Sequence, residues 1–366
     1  MWKKSALLAA VTTAATWSVQ AADYRVETLA EGLENPWSLA FLPDGGMLIT
    51  ERTGQLRYIN AAGELQAEPV SGVPQVYVSG QAGLFEIALD PEFAQNKRVF
   101  LSYACGTAKA NHACLASATF NGQALTEVDE IFRVTPAKAG SAHYGGRIAF
   151  LPDNTLLLGL GDGFNYREEA QKTGSHIGSI VRLNRDGSVP EDNPYVGQDN
   201  ALSELYSVGH RNVQGLIYDA EGERVLAHEH GPRGGDEINL IEPGNNYGWP
   251  KITYGVDYSG AVISPHTELP GLEQPLLQWT PSIAPAGFAL YRGDLFPEWD
   301  GSLMVATLAG MEVRRVELNG NEVVAQESLF KELESRFRDV RSGPDGALYL
   351  LTDGAEGKLL KVVPAN

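Results

Sequence analysis

Residues 35–60, "NPWSLAFLPDGGMLITERTGQLRYIN", hold an apolar run, a tight turn at Pro43-Asp44-Gly45, a second apolar run, and a third, more polar one. Apolar runs of this length, bounded by Gly, Asp and Pro, read as strands rather than helices. One such phrase would be a hairpin with an added strand, but this phrase recurs. It returns in "GLFEIALDPEFAQNKRVFLSYA" (83–104), "GGRIAFLPDNTLLLGLGDG" (145–163) continuing to "GSIVRLNRDG", and "NVQGLIYDAEGERVLAHEHG" (212–231). Two more copies are "APAGFALYRGDLFPEWDGSLMVATLAGMEVRRVELNG" (284–320) and "RDVRSGPDGALYLLTDGAEGKLLKVVP" (338–364). Turn acids mark the six copies at Asp44, Asp90, Asp153, Asp219, near Asp300, and at Asp345. Six sheet-forming repeats spread from end to end, with no low-complexity linker, predict an all-β, six-bladed β-propeller with four-stranded antiparallel blades. Two stacked β-domains are the competing architecture.

Outside the repeat, the first 22 residues, "MWKKSALLAAVTTAATWSVQAA", place Lys3 and Lys4 before a short run of small apolar residues and a Val19-Gln20-Ala21 cleavage signal. They predict a secretory signal peptide cut after Ala21 or Ala22, a periplasmic or secreted protein, and one propeller domain over residues 23–366. Cys105 and Cys114 flank the polar stretch "GTAKANHA", and in an exported chain they are expected to form one disulfide pinning a loop. With 46 acids against 28 bases, a net charge of −18 argues against nucleic acid and anionic membrane surfaces as partners. No stretch is long and apolar enough for membrane insertion. A propeller closes its own sheet edges, so monomer and homodimer are both compatible with the fold.

In a propeller, residues just before the first strand of each copy, or just after the second, converge at the mouth of the central channel. There the sequence places Gln81, His143, Arg211, Asn212, the stretch after "RVLAHEH", and Arg336 with Arg338. A lone histidine is more often structural than catalytic. Grouped with three arginines in so acidic a protein, however, it suggests a site for a polyanionic ligand, because guanidinium forks grip carboxylates or phosphates. "HGPRGGDE" (230–237) lacks the Walker lysine and hydroxyl of a P-loop. It reads equally as a calcium seat, with a Gly-Pro corner presenting carbonyls, or as a stiff turn with solvated acids. His228 and His230 would share a strand face as a zinc pair does, but no third ligand has suitable spacing. No Gly-x-Ser-x-Gly elbow offers a nucleophile.

The phrases "GQAGLFEIALDPEF", "HYGGRIAF", "LYSVGHRNVQGL", "EHGPRGGDEINLIEPGNNYGWP" and "RFRDVRSGPDGALYLLTD" resemble the soluble quinoprotein sugar dehydrogenases that use pyrroloquinoline quinone (PQQ). The resemblance is closest to their bacterial aldose sugar dehydrogenase branch and runs from about residue 35 to the C-terminus. It implies a six-bladed propeller that oxidises aldose sugars at C1 to the lactone and passes electrons to an external acceptor. His143 would be the general base and Arg211 the group that stabilises developing negative charge on the cofactor. Gln81, Arg211, Asn212, Arg336 and Arg338 would bind PQQ. Gly231 and Pro232 would seat a catalytic calcium, and Glu237 and Tyr247 a second, structural one. The chain departs from the glucose dehydrogenases at Ala309, where they carry a lysine, and at Ala142, where they carry an aspartate. Those losses imply weaker PQQ affinity and an altered substrate range. Two other classes compete: a calcium-dependent lactonase, which would gather side-chain acids on an axial metal, and a non-catalytic propeller binding glycans or a protein, which Ala309 favours.

Overall fold

A computed structural model describes residues 23–365. The opening stretch folds as the repeat predicts: strand Pro36–Phe41 turns back through residues 42–46 into Met47–Glu51, which pairs with Gln55–Ile59. The turn is closed by hydrogen bonds from Leu42 N–H to the Gly46 carbonyl (2.8 Å) and from Gly46 N–H to the Asp44 carboxylate (2.9 Å). Every residue of Met47–Glu51 is buried. Both faces of the sheet are covered by neighbouring sheets, which is why the strand lacks the apolar-polar alternation of a half-exposed one.

Six antiparallel sheets follow one another along the chain as blades 1 to 6. Their innermost strands are Pro36–Phe41, Leu84–Leu89, Gly145–Phe150, Val213–Asp219, Pro285–Leu290 and Phe337–Ser342, and these contact one another in cyclic order. Tyr24–Leu33, the first strand of the chain, pairs with Gly357–Pro364 and completes blade 6, so chain start and chain end close the ring together. Blade 1 departs from the expected four strands, with three. Residues 65–70 cover its edge with only two backbone bonds to the third strand, Gln66 N–H to Tyr58 O and Val70 N–H to Leu56 O (2.8 Å each). The Cys105–Cys114 disulfide forms, but it pins a hairpin rather than a loop. The two cysteines lie on paired strands, Arg98–Thr107 and Ala110–Phe120, and residues 108–109 make the whole turn. Among the described residues no helix is long and apolar enough to cross a membrane.

The third residues of the six inner strands, Ser38, Glu86, Arg147, Gly215, Gly287 and Asp339, ring the axis. Arg147 is buried there. It bonds Glu86 (2.8 Å), Asp339 (3.2 Å) and the Gln214 carbonyl (2.8 Å), with its guanidinium 3.9 Å from the Trp37 ring. A Cβ on Gly215 would fall 2.3 Å from the His228 ring, so only glycine lets that ring fill the axis. Burial pushes His228 down to about 3, and the neutral ring reaches the Gly287 carbonyl at 3.3 Å. Paired charges and an imidazole therefore plug the channel.

Candidate active site

A cavity of about 250 Å³ at the mouth of the channel is lined by Gln81, Asn212, His230, Arg336, Arg338 and Asp353, among others. Trp37 and Gln214 also line it, and both touch Arg147 on the axis. Three different blades, the second, fourth and sixth, thus bring Gln81, Asn212, Arg336 and Arg338 onto one wall. His143 and Arg211 stand at its border: the residues that follow them, Tyr144 and Asn212, are wall residues.

Arg336 and Arg338 both bind Asp353, at 3.1 Å and 3.0 Å. Two guanidiniums share one carboxylate, and Arg52 on the same wall bonds the Gly80 carbonyl and the Asn35 amide oxygen, which leaves the wall two positive charges in excess. Burial works to raise the Asp353 pKa, but the two arginines outweigh it and hold the carboxyl below its usual range. Arg336 also donates to the Leu308 carbonyl (3.3 Å), which lays a cation beside Ala309, where the family lysine is missing.

His143 has φ +50°, rare for a non-glycine residue, and its N–H donates to the Gln81 side-chain oxygen (2.9 Å). Its Nδ1 lies 2.7 Å from Asp162 Oδ1. The other Asp162 oxygen accepts the Trp249 indole N–H (2.8 Å), and the Phe164 N–H adds a bond of 2.7 Å. Burial opposes ionisation of Asp162. The hydrogen bond from His143, the Arg211 guanidinium and the Phe164 N–H prevail and hold it below its usual value. An ionised Asp162 accepts, so Nδ1 must carry the proton and Nε2 the free lone pair. Burial first, then Arg211 and Lys138, pull the His143 pKa below 6.5, with Asp162 opposing, so the ring is neutral near pH 7.

Arg211 is buried, and its Nη1 donates to the His230 carbonyl (2.9 Å). Its buried Nε has no partner among the described residues and is a donor open to an acceptor. Glu229 bonds His210 Nδ1 (2.9 Å) and accepts the N–H groups of Arg211 and Asn212, so it fixes the backbone on which both functional side chains stand.

Gly231, Glu229, Glu237 and Tyr247 share a second, small cavity of about 20 Å³, whereas Pro232 faces a third, open one. Glu237 is largely buried, and its one side-chain hydrogen bond among the described residues comes from Asn239 at 3.4 Å. Burial and the neighbouring Glu229 push its carboxyl up to about 8. A Cβ on Gly231 would fall 2.2–2.3 Å from the carbonyl oxygens of Gly235 and Gly234, so backbone oxygens crowd this corner. An unpaired carboxyl, packed carbonyls and an ion-sized space fit a hard divalent cation such as calcium. Calcium should accordingly raise the Tm of the wild-type protein in a thermal melt, and Glu237→Gln should shrink the shift. The two histidines of the same segment do other work. Like His228, His230 spends its Nε2 on a backbone carbonyl, that of Pro285, at 2.6 Å.

The family model for glucose/sorbosone dehydrogenases matches residues 33–361. The chain belongs to that family. It is 40% identical over 365 residues to the aldose sugar dehydrogenase YliI of Escherichia coli, covering 97% of this chain and 96% of that protein. Among solved structures of the family, a glucose dehydrogenase crystal structure superposes with a TM-score of 0.90 at 45% identity, covering 93% of this chain and 100% of the other. The PQQ-bound aldose sugar dehydrogenase of Streptomyces coelicolor superposes at 0.75 with 31% identity, covering 93% and 99%.

Four residues that the structure sets around His143 and the arginines escaped the sequence reading: Asp162, Trp249, Glu229 and Asp353. Asp162 sits in "GLGDG", which reads as a turn. Only its place at the end of the second strand of the blade that His143 enters could have flagged it.

Proposed function

We propose that this chain is an exported, PQQ- and calcium-dependent enzyme that oxidises aldoses at the anomeric carbon to the lactone and hands the electrons to an external acceptor. The observation that carries the reading is the His143–Asp162 pair, set at the border of a cavity whose wall holds three arginines for one carboxylate. PQQ carries carboxylates, and the excess cation suits it. Gln81, Asn212, Arg336 and Arg338 would hold it, Gly231 and Pro232 would seat the catalytic calcium, and Glu237 and Tyr247 the second ion. When bound, PQQ supplies the two-electron acceptor for the anomeric hydride and calcium the Lewis acid that polarises it.

His143 Nε2 takes the proton of the anomeric hydroxyl. Asp162 holds the ring in the tautomer that leaves this atom free, and it stabilises the imidazolium that forms. Trp249 and Phe164 fix Asp162, while Gln81 ties down the base's own unusual backbone. Arg211 turns its unpartnered Nε–H toward developing negative charge. Export to an oxidising compartment accords with the disulfide; the signal peptide expected over residues 1–22 lies outside the described residues.

The test is reconstitution of the purified protein with PQQ and calcium, followed by dye reduction with a panel of aldoses. Absence of turnover with every sugar, together with absence of tight PQQ binding, retires the reading in favour of a lactonase or a binding propeller.

The base also carries a pH signature. Lys138 is buried, its ammonium lies 3.6 Å from the Tyr144 ring centre without a hydrogen-bond partner among the described residues, and burial lowers its pKa to about 8. It lines a small cavity with His143 and opposes protonation of that ring. A base works above its own pKa, so the acidic limb of kcat/KM should lie below that of an ordinary histidine. Lys138→Met removes a cation and should move the limb to higher pH in a kcat/KM profile.

A further inference from the structure

Residues 134–144, which lead to the inner strand of blade 3 and carry His143, lie in no strand, so no sheet ladder fixes the backbone at the base. A non-glycine residue keeps a φ of +50° only where its surroundings over-determine it. Part of that constraint comes from the hairpin of blade 2 that the Cys105–Cys114 disulfide closes. Just past its turn, Asn111 exchanges two backbone bonds with Lys138, each of 2.9 Å. The Asn111 side chain is buried and ties the connection again. Its Nδ2 donates to the Thr107 carbonyl (3.0 Å) inside the hairpin and to the Gly140 carbonyl (2.9 Å), while its Oδ1 accepts the Tyr144 hydroxyl (2.7 Å). Gly140 lies three residues before His143 and Tyr144 directly after it, so one amide grips the chain on both sides of the base.

We propose that Asn111 is a positioning residue for His143: from the tip of a disulfide-closed hairpin, its amide fixes the strandless connection that presents the base, and so keeps Nδ1 on Asp162 and Nε2 free. The inference rests on the reading of His143 as the general base and deepens it. Asn111 is not on the wall of the arginine-lined cavity, so it acts through the chain it holds. Two carbonyls need donors and one hydroxyl needs an acceptor, and among side chains of this size an amide meets all three. The hairpin gives that amide a rigid footing, because Asn111 pairs across it with Gly106 and the disulfide joins the two strands next to that rung. Gln81 and Tyr166 hold the same connection from other directions, through the Ser141 carbonyl and the Ala139 N–H (2.9 Å each).

The experiment compares Asn111→Ala and Asn111→Asp with wild type and with Asn193→Ala. Asn193 is an equally buried asparagine bonded to Arg182 and Ser203, beside the Asp153 turn at the end of blade 3 remote from the mouth, so its variant reports a loss of stability alone. The first readout is the Nδ1–H resonance of His143 in PQQ-free protein carrying isotope-labelled histidine, assigned by its disappearance in His143→Gln. The second is kcat and KM for glucose after reconstitution. Wild type should show the Nδ1–H tautomer. In both Asn111 variants that resonance should be lost to exchange with solvent, and kcat should fall by about 10- to 100-fold while KM changes by less than about threefold. Asn193→Ala should lower the Tm and leave both readouts at the wild-type level. Asn111→Asp keeps the size of the side chain and the acceptor for Tyr144, so it answers if Asn111→Ala does not fold. A His143 resonance unchanged in the Asn111 variants, or a kcat loss no larger than that of Asn193→Ala, overturns the positioning role. A wild type that oxidises no sugar retires the dehydrogenase reading instead, and the His143 resonance still decides what Asn111 does.

Discussion

Replacing His143 with glutamine is expected to lower kcat for aldose oxidation by about 10³-fold, inside the range that a positioned general base contributes. PQQ retention is expected to change by less than about threefold, under 1 kcal/mol. The separation follows from where the ring sits. Its Nδ1 is committed to Asp162 at 2.7 Å, and the arginine wall that would grip the cofactor belongs to blade 6, with no bond to His143. Glutamine keeps the N–H that Gln81 accepts at 2.9 Å and keeps a polar group toward Asp162, but it has no basic nitrogen. Dye-reduction kinetics at saturating aldose, paired with equilibrium dialysis of PQQ, measure the two quantities separately. Equal loss of both would reassign His143 to holding the mouth of the channel together.

The architecture was legible in the sequence because the inner strands of blades 1 to 5 are mostly buried, so those copies repeat an apolar run and a turn. Blade 1 lacks its fourth strand because "LQAEPV" (65–70) is short and holds Pro69, which has no N–H to give a ladder, and the structure gives it two backbone bonds. Residues at the mouths were recognisable as polar interruptions at equivalent points in the copies. What stayed hidden was their pairing, because the partners come from elsewhere in the fold. The acid for His143 is not beside it at Ala142; it arrives 19 residues later, at the end of the second strand of its own blade. The carboxylate between Arg336 and Arg338 arrives as Asp353, just after Leu348–Thr352. The axial network had a signal that went unused: the third residue of the inner strand is charged, small or glycine in all six copies, although the residue after it is apolar each time. Only a closed ring places those six together, and there Arg147 needs both Glu86 and Asp339.

The closed ring also ranks the two arginines. Arg338→Ala is expected to weaken PQQ binding by 2 kcal/mol or more, about 30-fold, and Arg336→Ala by distinctly less. Arg338 lies on the inner strand of blade 6 with only 14% of its side chain exposed, so a carboxylate that meets it there is screened little by water. Arg336 precedes the strand with half its side chain in solvent, where an ion pair is worth about 0–1 kcal/mol. Truncation of Arg338 has a second cost. Asp353 is held ionised chiefly against its own burial by the Arg338 charge, and without that charge it faces the cofactor's carboxylates with Arg336 alone. The wall then falls from two positive charges in excess to one. PQQ titrations of the two variants at several ionic strengths test the ranking: the larger loss should belong to Arg338→Ala and should persist in salt, while the smaller loss at Arg336 should shrink. Equal losses, or a larger one at Arg336, would place the cofactor's carboxylates at the rim rather than against the inner strand.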